Sequence, residues 1–225
     1  MGTLIKLKFS EKYDKEHAQE YLHKHQDGFA RRLSHWRDEQ IARQALELAG
    51  DPGLVLDLPC GAGRFWPVLA ENPRRVIIAA DNSRDMLNIA CQAQPRDVVE
   101  RVQLLQTSAF EIDLPTHAVD SIFCMRLLHH IGESQHRLAM LKEFHRVTRD
   151  SVIVSLWVDG NYKAWRRRHL EARRTENMQL PAEQNRFVIP KAVIEAEFKA
   201  GFIIEDHIDF LPLYAMWRVY VLRAV

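Results

Sequence analysis

The alternation of apolar and polar positions separates a helical beginning of the chain from a middle part made of short apolar runs. Charged and apolar residues interleave through residues 11–49, which contain no proline and only Gly28 as a strong breaker. This spacing predicts an N-terminal helical cap over residues 1–49. Its apolar stripe consists of Leu33, Trp36, Ile41, Ala45 and Leu48.

Five short apolar runs follow, and helical patterns separate them. The runs cover residues 54–58, 75–80, 101–105, 119–124 and 151–157. Continuous apolar runs of this length are typical of parallel strands that are buried on both faces. Three intervening segments have a helical period, at residues 64–72, 83–93 and 133–147. The alternation predicts an α/β fold with an open, mostly parallel sheet, in which ligands bind at the carboxyl ends of the strands.

The last third of the chain departs from this alternation. Residues 158–188 are polar and rich in arginine, which predicts an insertion or lid after the fifth strand. Residues 189–200 are predicted to form a helix, and residues 202–204 and 217–222 two strands. Only about a dozen residues separate these strands, too few for a helical crossover, so we expect an antiparallel pair. The organisation is thus a single domain over residues 1–225, with its core at 50–157 and a closing unit at 189–225.

Composition narrows the function classes. The 225 residues include 31 Lys and Arg against 30 Asp and Glu, and this balance argues against a nucleic-acid partner. The three cysteines, Cys60, Cys91 and Cys124, are far apart and fit neither a disulfide framework nor a zinc site, which favours a reducing cytoplasm. The chain start shows no leader pattern, and no apolar run has the ~20 residues that a membrane span needs.

A glycine-rich turn follows the first predicted strand. Asp57 ends that strand, Gly61 and Gly63 lie just beyond it, and Asp81 ends the second strand. Glycine has no Cβ, so a ligand can approach its backbone closely, and the N–H groups of the following helix point at that ligand. An acid in the position of Asp81 can accept hydrogen bonds from two ribose hydroxyls. The pattern predicts a nucleoside ligand.

Two residues favour S-adenosylmethionine (SAM) over a dinucleotide. The dinucleotide fingerprint G-x-G-x-x-G needs a third glycine, but Trp66 occupies that position, where its bulk works against close helix–strand packing. The negative side chain of Asp57 suits an ammonium or sulfonium ligand better than a pyrophosphate. An NAD(P)-dependent oxidoreductase stays open as a less favoured alternative.

Four ordered motifs resemble those of the class I SAM-dependent methyltransferases of the small-molecule type. They lie at residues 55–63, 80–87, 119–131 and 143–147. The resemblance implies a Rossmann-like, seven-stranded sheet of order 3-2-1-4-5-7-6, with the last strand antiparallel and helices on both faces. It also implies SAM as cofactor, S-adenosylhomocysteine (SAH) as product, and O- or N-methylation of a small-molecule acceptor. A module that binds SAM or a nucleotide without catalysis is the main alternative.

The resemblance also implies which residues hold the cofactor. The glycine loop and the end of the fourth strand would face the methionyl part, Asp81 the ribose, and the residues after the second and third strands the adenine. The full set is Asp57, Pro59, Cys60, Gly61, Ala62, Gly63, Asp81, Asn82, Met86, Ser108, Ala109, Phe110, Cys124, Met125 and Arg126.

Three positions depart from the family pattern. Pro59 replaces the usual first glycine of the loop and removes one backbone N–H. Ser108 stands where the family commonly has an aspartate that accepts from the adenine amino group, and it accepts from a shorter, neutral side chain. Residues 146–150 lack the usual Pro-Gly-Gly turn, so the fifth strand is entered by a shorter route.

The candidate catalytic residues are His129 and His130, which follow the fourth strand. Either could act as a base if the acceptor must lose a proton. His130, Glu133 and His136 do not share one helical face, so no metal site is predicted. The arginines at 166–168 and 173–174 are either a solvated helix face or, with the interleaved aromatic residues, part of a lid for an anionic or aromatic acceptor. That aromatic set is Trp157, Tyr162 and Trp165, and Arg31, Arg32 and Trp36 would close the site from the N-terminal helix.

Overall fold

The computed structural model describes residues 29–176 and 185–225, in which seven strands form one sheet. The strands are β1 (Leu54–Asp57), β2 (Val76–Asp81), β3 (Val102–Gln106), β4 (Val119–Cys124), β5 (Thr148–Trp157), β6 (Phe202–Asp209) and β7 (Trp217–Ala224). The α-helices are α1 (Phe29–Leu48), α2 (Trp66–Leu69), α3 (Arg84–Ala93), α4 (Arg96–Val99), α5 (Ser134–Val147), α6 (Tyr162–Glu176) and α7 (Lys191–Phe198), with a 3₁₀ helix at Leu128–His130.

The strand order is β3-β2-β1-β4-β5-β7-β6, which confirms the order that the resemblance implies. Strands β1 to β5 run parallel, whereas β7 pairs antiparallel with both β5 and β6. Strand order reverses between β1 and β4, which makes their carboxyl ends the switch point of the sheet. Because β7 runs in the opposite direction, it begins at the edge where β5 ends: Trp157 pairs with Trp217.

The buried runs explain why these segments form central strands. Neighbouring residues of a strand point to opposite faces. Leu56 therefore packs in a core with Phe144 and Phe198, on the side of α5 and α7, whereas Val55 packs with Ile41 of α1 on the other side. Both faces of the central strands are covered, so their sequences read as apolar runs rather than as alternation.

Several predicted boundaries were wrong. Strand β5 begins at Thr148 instead of residue 151. Strand β6 extends to Asp209 instead of residue 204, because pairing with β7 holds the exposed polar residues 205–207 of β6 in the sheet. Helix α2 covers only Trp66–Leu69, since Arg64 and Phe65 still belong to the turn.

Helix α1 confirms only part of the predicted apolar stripe. Ile41 and Ala45 are buried, but Leu33 and Trp36 are each 54% exposed, because the sheet lies against the second half of this helix. The predicted helix over residues 11–28 and part of the predicted lid, at 177–184, lie outside the described residues. Among the helices described, none is long and apolar enough to cross a membrane.

Candidate functional site

The glycine loop leaves the carboxyl end of β1 and is tied to the end of β2. Gly61 and Gly63 have φ values of 54° and 71°, in the left-handed region that favours glycine. A Cβ on Gly63 would lie 2.8 Å from the Trp66 ring, so a larger residue is excluded there. The backbone N–H of Cys60 donates to the Ala80 carbonyl at 2.8 Å, and a cis peptide joins Leu58 to Pro59. The loop is thus held by backbone contacts beside Asp81.

Asp81 links the glycine loop to the start of α3. Its carboxylate accepts from the backbone N–H of Gly61 at 3.1 Å and from that of Ser83 at 3.0 Å. Each carboxylate oxygen has a second lone pair, which leaves capacity for two ligand hydroxyls. Burial raises the pKa of the Asp81 carboxyl, and the two N–H donors counteract that rise. Met86, on the first turn of α3, is buried beside Gly61.

Asp57 is a buried carboxylate that has no cationic partner among residues 29–176 and 185–225. It is 1% exposed, and its Oδ2 atom has no hydrogen-bond partner. Burial raises the pKa of the Asp57 carboxyl well above its ordinary value; the Trp66 indole N–H opposes this rise, and the Asp81 carboxylate adds to it. A positive ligand group would favour the ionised form, so the site is chemically suited to an ammonium or a sulfonium.

Trp66 does not prevent close packing, contrary to the sequence interpretation. It is fully buried and packs in a core with Ala79 of β2 and with Leu87 and Ala90 of α3. Small residues on the neighbouring elements and the missing side chain of Gly63 make room for the indole. The tryptophan therefore fills the space under the loop, and the first turn of α2 keeps its position.

The residues after β2 and β3 lie at adjacent strand ends, where the adenine contacts are predicted. Asn82 is exposed, and its carbonyl accepts from the Gln106 side chain at 3.3 Å. The Ser108 hydroxyl accepts from the Phe110 backbone N–H at 3.2 Å, so it stabilises its own turn. Ala109 is 9% exposed and Phe110 is half-buried.

The chain leaves β4 through Cys124, Met125 and Arg126, and the first two are buried. Arg126 has a φ of 65°, a left-handed conformation that is strained for a residue with a Cβ. Its backbone N–H donates to the Ser155 hydroxyl at 2.7 Å, and its guanidinium donates to Asp38 of α1 at 2.5 Å. These contacts hold the strained residue at the switch point.

Asp38 is a site residue that the sequence analysis missed. It is 6% exposed, and besides Arg126 it binds Arg64 of the glycine loop at 2.6 Å. One carboxylate thus joins the loop after β1 to the end of β4. Asp38 precedes the buried Ile41 by three residues and the buried Ala45 by seven, so it lies on the apolar stripe of α1. A charged residue on an apolar stripe is the feature of the sequence that could have identified it.

His129 and His130 lie on the 3₁₀ helix after β4, as predicted from their position. His129 is 3% exposed, its Nδ1 atom has no partner, and its ring centroid lies 4.0 Å from that of His130. Burial, and then the neighbouring His130 and two arginines, lower the pKa of His129 to about 2, so its imidazole is neutral. His130 Nδ1 lies 2.5 Å from the Asn185 carbonyl, and burial lowers its pKa too.

Two tryptophans complete the site beside His129. The centroid of the His129 ring lies 5.1 Å from that of Trp157 and 4.7 Å from that of Trp217, and the two indole centroids are 5.6 Å apart. We call these three residues the tryptophan cluster. The guanidinium carbons of Arg167 and Arg186 lie 5.2 and 5.8 Å from the Trp157 ring, and that of Arg126 lies 5.0 Å from the Trp217 ring.

A small pocket adjoins the tryptophan cluster. Its walls include Trp217, Met125, Arg126 and Ser155, with Asp38 at the side of α1. Trp217 and Ser155 were missed by the sequence analysis, because they come from strands that carry no motif.

The structure thus brings the predicted site residues to one edge of the sheet, at the ends of β1 to β4. Among the N-terminal residues predicted to close the site, Arg32 and Trp36 are exposed, and the Arg31 side chain lies outside the described residues. Arg166, Arg168 and Arg173 are exposed on α6. In the parts of the chain that the structure describes, no group of three or more His, Cys, Asp or Glu side chains could hold a metal ion.

Comparisons with known proteins match this geometry. A family model described as "Methyltransferase domain" matches residues 55–151, from β1 into β5. Residues 55–151 thus match the methyltransferase domain family, and the strand order is that of the methyltransferase Rossmann-like fold. The comparison with curated proteins gives no significant match.

Solved structures of methyltransferases share the fold of this chain at low sequence identity. Magnesium protoporphyrin IX methyltransferase from Synechocystis PCC 6803, solved with bound SAH, has a TM-score of 0.69 at 17% identity, covering 89% of each chain. A SAM-dependent methyltransferase from Aquifex aeolicus has a TM-score of 0.63 at 18% identity, covering 95% of this chain and 100% of its own. Human N-acetylserotonin methyltransferase, solved with SAM, has a TM-score of 0.67 at 15% identity, covering 99% of this chain and 60% of its own.

Proposed function

We propose that this chain binds SAM across the ends of β1, β2 and β3 and transfers the methyl group to a small molecule beside β4 and β5. The observation that carries this proposal is the pair of buried carboxylates, Asp57 and Asp81, on either side of a glycine loop in left-handed conformation. The neighbours solved with SAM or SAH support the choice of cofactor, with SAH as the product.

The residues present fit the parts of SAM one by one. Asp81 keeps lone pairs for the ribose hydroxyls, and Met86 offers an apolar surface beside Gly61 for the adenine. The open backbone at Gly61 and Gly63 permits close approach of the methionyl part. Asp57, buried without a cationic partner, complements the positive charge at that end.

Methyl transfer asks mainly for alignment and for the exclusion of water. When bound, SAM supplies a methyl group that its sulfonium has already activated. Arg126, fixed by Ser155 and Asp38, sets the end of β4 beside it. For an acceptor that must lose a proton, we propose His129 and His130 as the candidate bases, because both follow β4 and both imidazoles are neutral. The pKa of about 2 makes His129 the weaker base of the two.

The proposal is tested by calorimetric titration of the full chain with SAH. We expect Asp81→Ala to weaken binding by about 100-fold, because two charge-assisted hydrogen bonds to the ribose are lost. The matched control is Asp85→Ala, an exposed acid in the first turn of α3, which should change affinity less than about twofold.

Titration with NADH distinguishes the alternatives. Binding of NADH that Asp81→Ala weakens, without any binding of SAH, would establish an oxidoreductase instead. Binding of SAM without methyl transfer to any acceptor would favour a non-catalytic module, to which the loss of the Pro59 N–H and the neutral Ser108 would then contribute.

The free thiols of Cys60, Cys91 and Cys124 support a reducing cytoplasm as the location.

A further inference from the structure

The tryptophan cluster has the properties of a binding site for an anion attached to a flat ring. We propose that the methyl acceptor is an aromatic carboxylate whose carboxylate group binds the Arg186 guanidinium and the Trp157 indole N–H. The inference rests on the proposed function, because it assigns the cluster to the acceptor of the methyl transfer.

Two buried polar atoms in the cluster lack a partner. Trp157 is 9% and His129 is 3% exposed, yet neither the indole Nε1 nor the imidazole Nδ1 forms a hydrogen bond. Leaving such groups unsatisfied costs free energy, so a native protein usually pairs them with a ligand or an ordered water. The indole N–H is a donor only, which calls for a ligand that accepts.

The cations around the cluster decide the charge of that ligand. Arg167 is paired with Glu171 at 2.8 Å, and Arg126 is paired with Asp38. Arg186 forms no ion pair within residues 29–176 and 185–225, and its guanidinium lies 5.8 Å from the Trp157 ring. A guanidinium without an ion pair, over the ring that carries an unpaired N–H, favours a carboxylate as ligand. The two oxygens of a carboxylate can accept from both donors.

The segment that carries Arg186 is fastened over the cluster. The Phe187 backbone N–H donates to the His129 carbonyl at 2.7 Å, and the Ile189 N–H donates to the Trp157 carbonyl at 2.9 Å. Arg167 also donates to the Arg186 carbonyl at 3.0 Å. On the other side, the Asn185 carbonyl lies 2.5 Å from His130 Nδ1. The backbone is therefore held at the site on both sides of Arg186, which lowers the entropy cost of binding an anion there.

The location suits an acceptor of methyl groups. Trp157 ends β5, which lies two strands from β1, and neighbouring strands are about 4.8 Å apart. A one-ring or two-ring acid with its carboxylate at Trp157 thus extends towards the end of β4 and the methyl donor. The His129 ring centroid lies 5.1 Å from that of Trp157, so the ring of such an acid would lie beside the imidazole.

The test compares aromatic acids with their primary amides, which keep the ring and lose the charge. Three pairs serve as probes: 4-hydroxybenzoate, 4-hydroxycinnamate and indole-3-acetate, each against its amide. Calorimetry with the full chain, saturated with SAH, should show at least one acid binding about tenfold tighter than its amide. Arg186→Gln should reduce that ratio to about one without changing the affinity for SAH.

Two further variants separate the indole N–H from general damage. Trp157→Phe keeps an aromatic ring and removes the donor, so we expect acid affinity to fall by about three- to tenfold. Arg96→Gln, at an exposed arginine paired only with Glu100, is the matched control and should leave every affinity unchanged.

The inference is overturned if all three amides bind as tightly as their acids, if no acid binds at about 10 mM, or if Arg186→Gln keeps the preference for acids. The same titrations judge the proposed function independently. Failure of SAH to bind, with a preference for acids that depends on Arg186, would remove the cofactor proposal and leave the carboxylate site standing.

Discussion

The two halves of the site are built in different ways. At the ends of β1 and β2, the loop and Asp81 form a network of backbone N–H groups and carboxylates within residues 57–86. Beside β4, β5 and β7, the site consists of aromatic rings and arginines that come from segments far apart in the chain. The first half can recognise a constant ligand, and the second can change its specificity with few substitutions.

The largest effect is expected from a buried ion pair that supports the aromatic half. Arg137, 4% exposed, binds Glu197 of α7 and donates to the carbonyls of Ile131 and Gly132, which directly follow the 3₁₀ helix. Arg137→Leu leaves Glu197 buried without its cation, so the free energy of unfolding should fall by about 3–5 kcal/mol in urea denaturation. Arg96→Leu is the surface control.

Arg137→Leu also sharpens the comparison of the two halves. Below its unfolding temperature, the variant should bind SAH within about twofold of the unchanged protein and should bind the aromatic acids more weakly. Equal losses for both ligands would show that the halves are not independent.

Asp38 connects the two halves of the site, since it binds Arg64 of one half and Arg126 of the other. A change at Asp38 is therefore expected to affect both halves. Asp38→Ala leaves two guanidinium groups without this carboxylate, and we expect a loss of about 2–3 kcal/mol in stability. SAH and the aromatic acids should both bind more weakly. Asp38→Asn, which keeps one acceptor oxygen, should recover part of both affinities; a variant that affects only one ligand contradicts the bridging role.

The buried, neutral His129 is expected to make the stability of the protein sensitive to acid. The pKa of His129 is about 2 in the folded chain, below the ordinary histidine value of about 6.5. Between these two pH values the unfolded chain binds more protons than the folded chain, so the free energy of unfolding falls as the pH drops below about 6.5. His129→Phe removes this titration, so the stability of the variant relative to the unchanged protein should rise by about 2 kcal/mol from pH 7 to pH 5. Urea denaturation at pH 5 and pH 7 measures this, with the exposed His169→Phe as control. A constant difference across pH would refute the assignment.

Asp57 predicts the opposite pH dependence of stability. Burial raises its pKa in the folded chain, so the folded state keeps a proton that the unfolded state has lost, and stability falls as pH rises through that window. Asp57→Asn should therefore raise the melting temperature by a few degrees at pH 7, and the gain should shrink towards pH 4. The variant should also bind SAM less tightly. A lower melting temperature at pH 7 would mean that the ionised carboxylate has a stabilising partner.

The geometry at the ends of β1 and β2, where we propose that the cofactor binds, was largely predictable because its determinants are local. Gly61, Gly63 and Asp81 lie at fixed sequence distances from two buried strands, and a backbone conformation that favours glycine can be recognised in the sequence. The strand order followed from the resemblance, and the apolar runs followed from burial on both faces.

The aromatic half left only fragments in the sequence. Trp217 lies 60 residues after Trp157, and only the antiparallel register of β7 brings the two together. Arg186 was read as part of a polar insertion, since nothing local distinguishes it from solvated arginines. Asp38 could have been found as a charge on an apolar stripe. Trp66 was misread because its partners, Ala79 and Ala90, belong to neighbouring elements.

The reversed direction of β7 has a consequence for how this architecture diversifies. A parallel strand would begin at the far edge of the sheet, but β7 begins at the edge that holds the site, so the connection at residues 210–216 enters there. Its length and composition can vary without any shift in the register of β1 or β2. We therefore expect that exchange of this one short segment changes the preference for the acceptor and leaves the glycine loop unchanged.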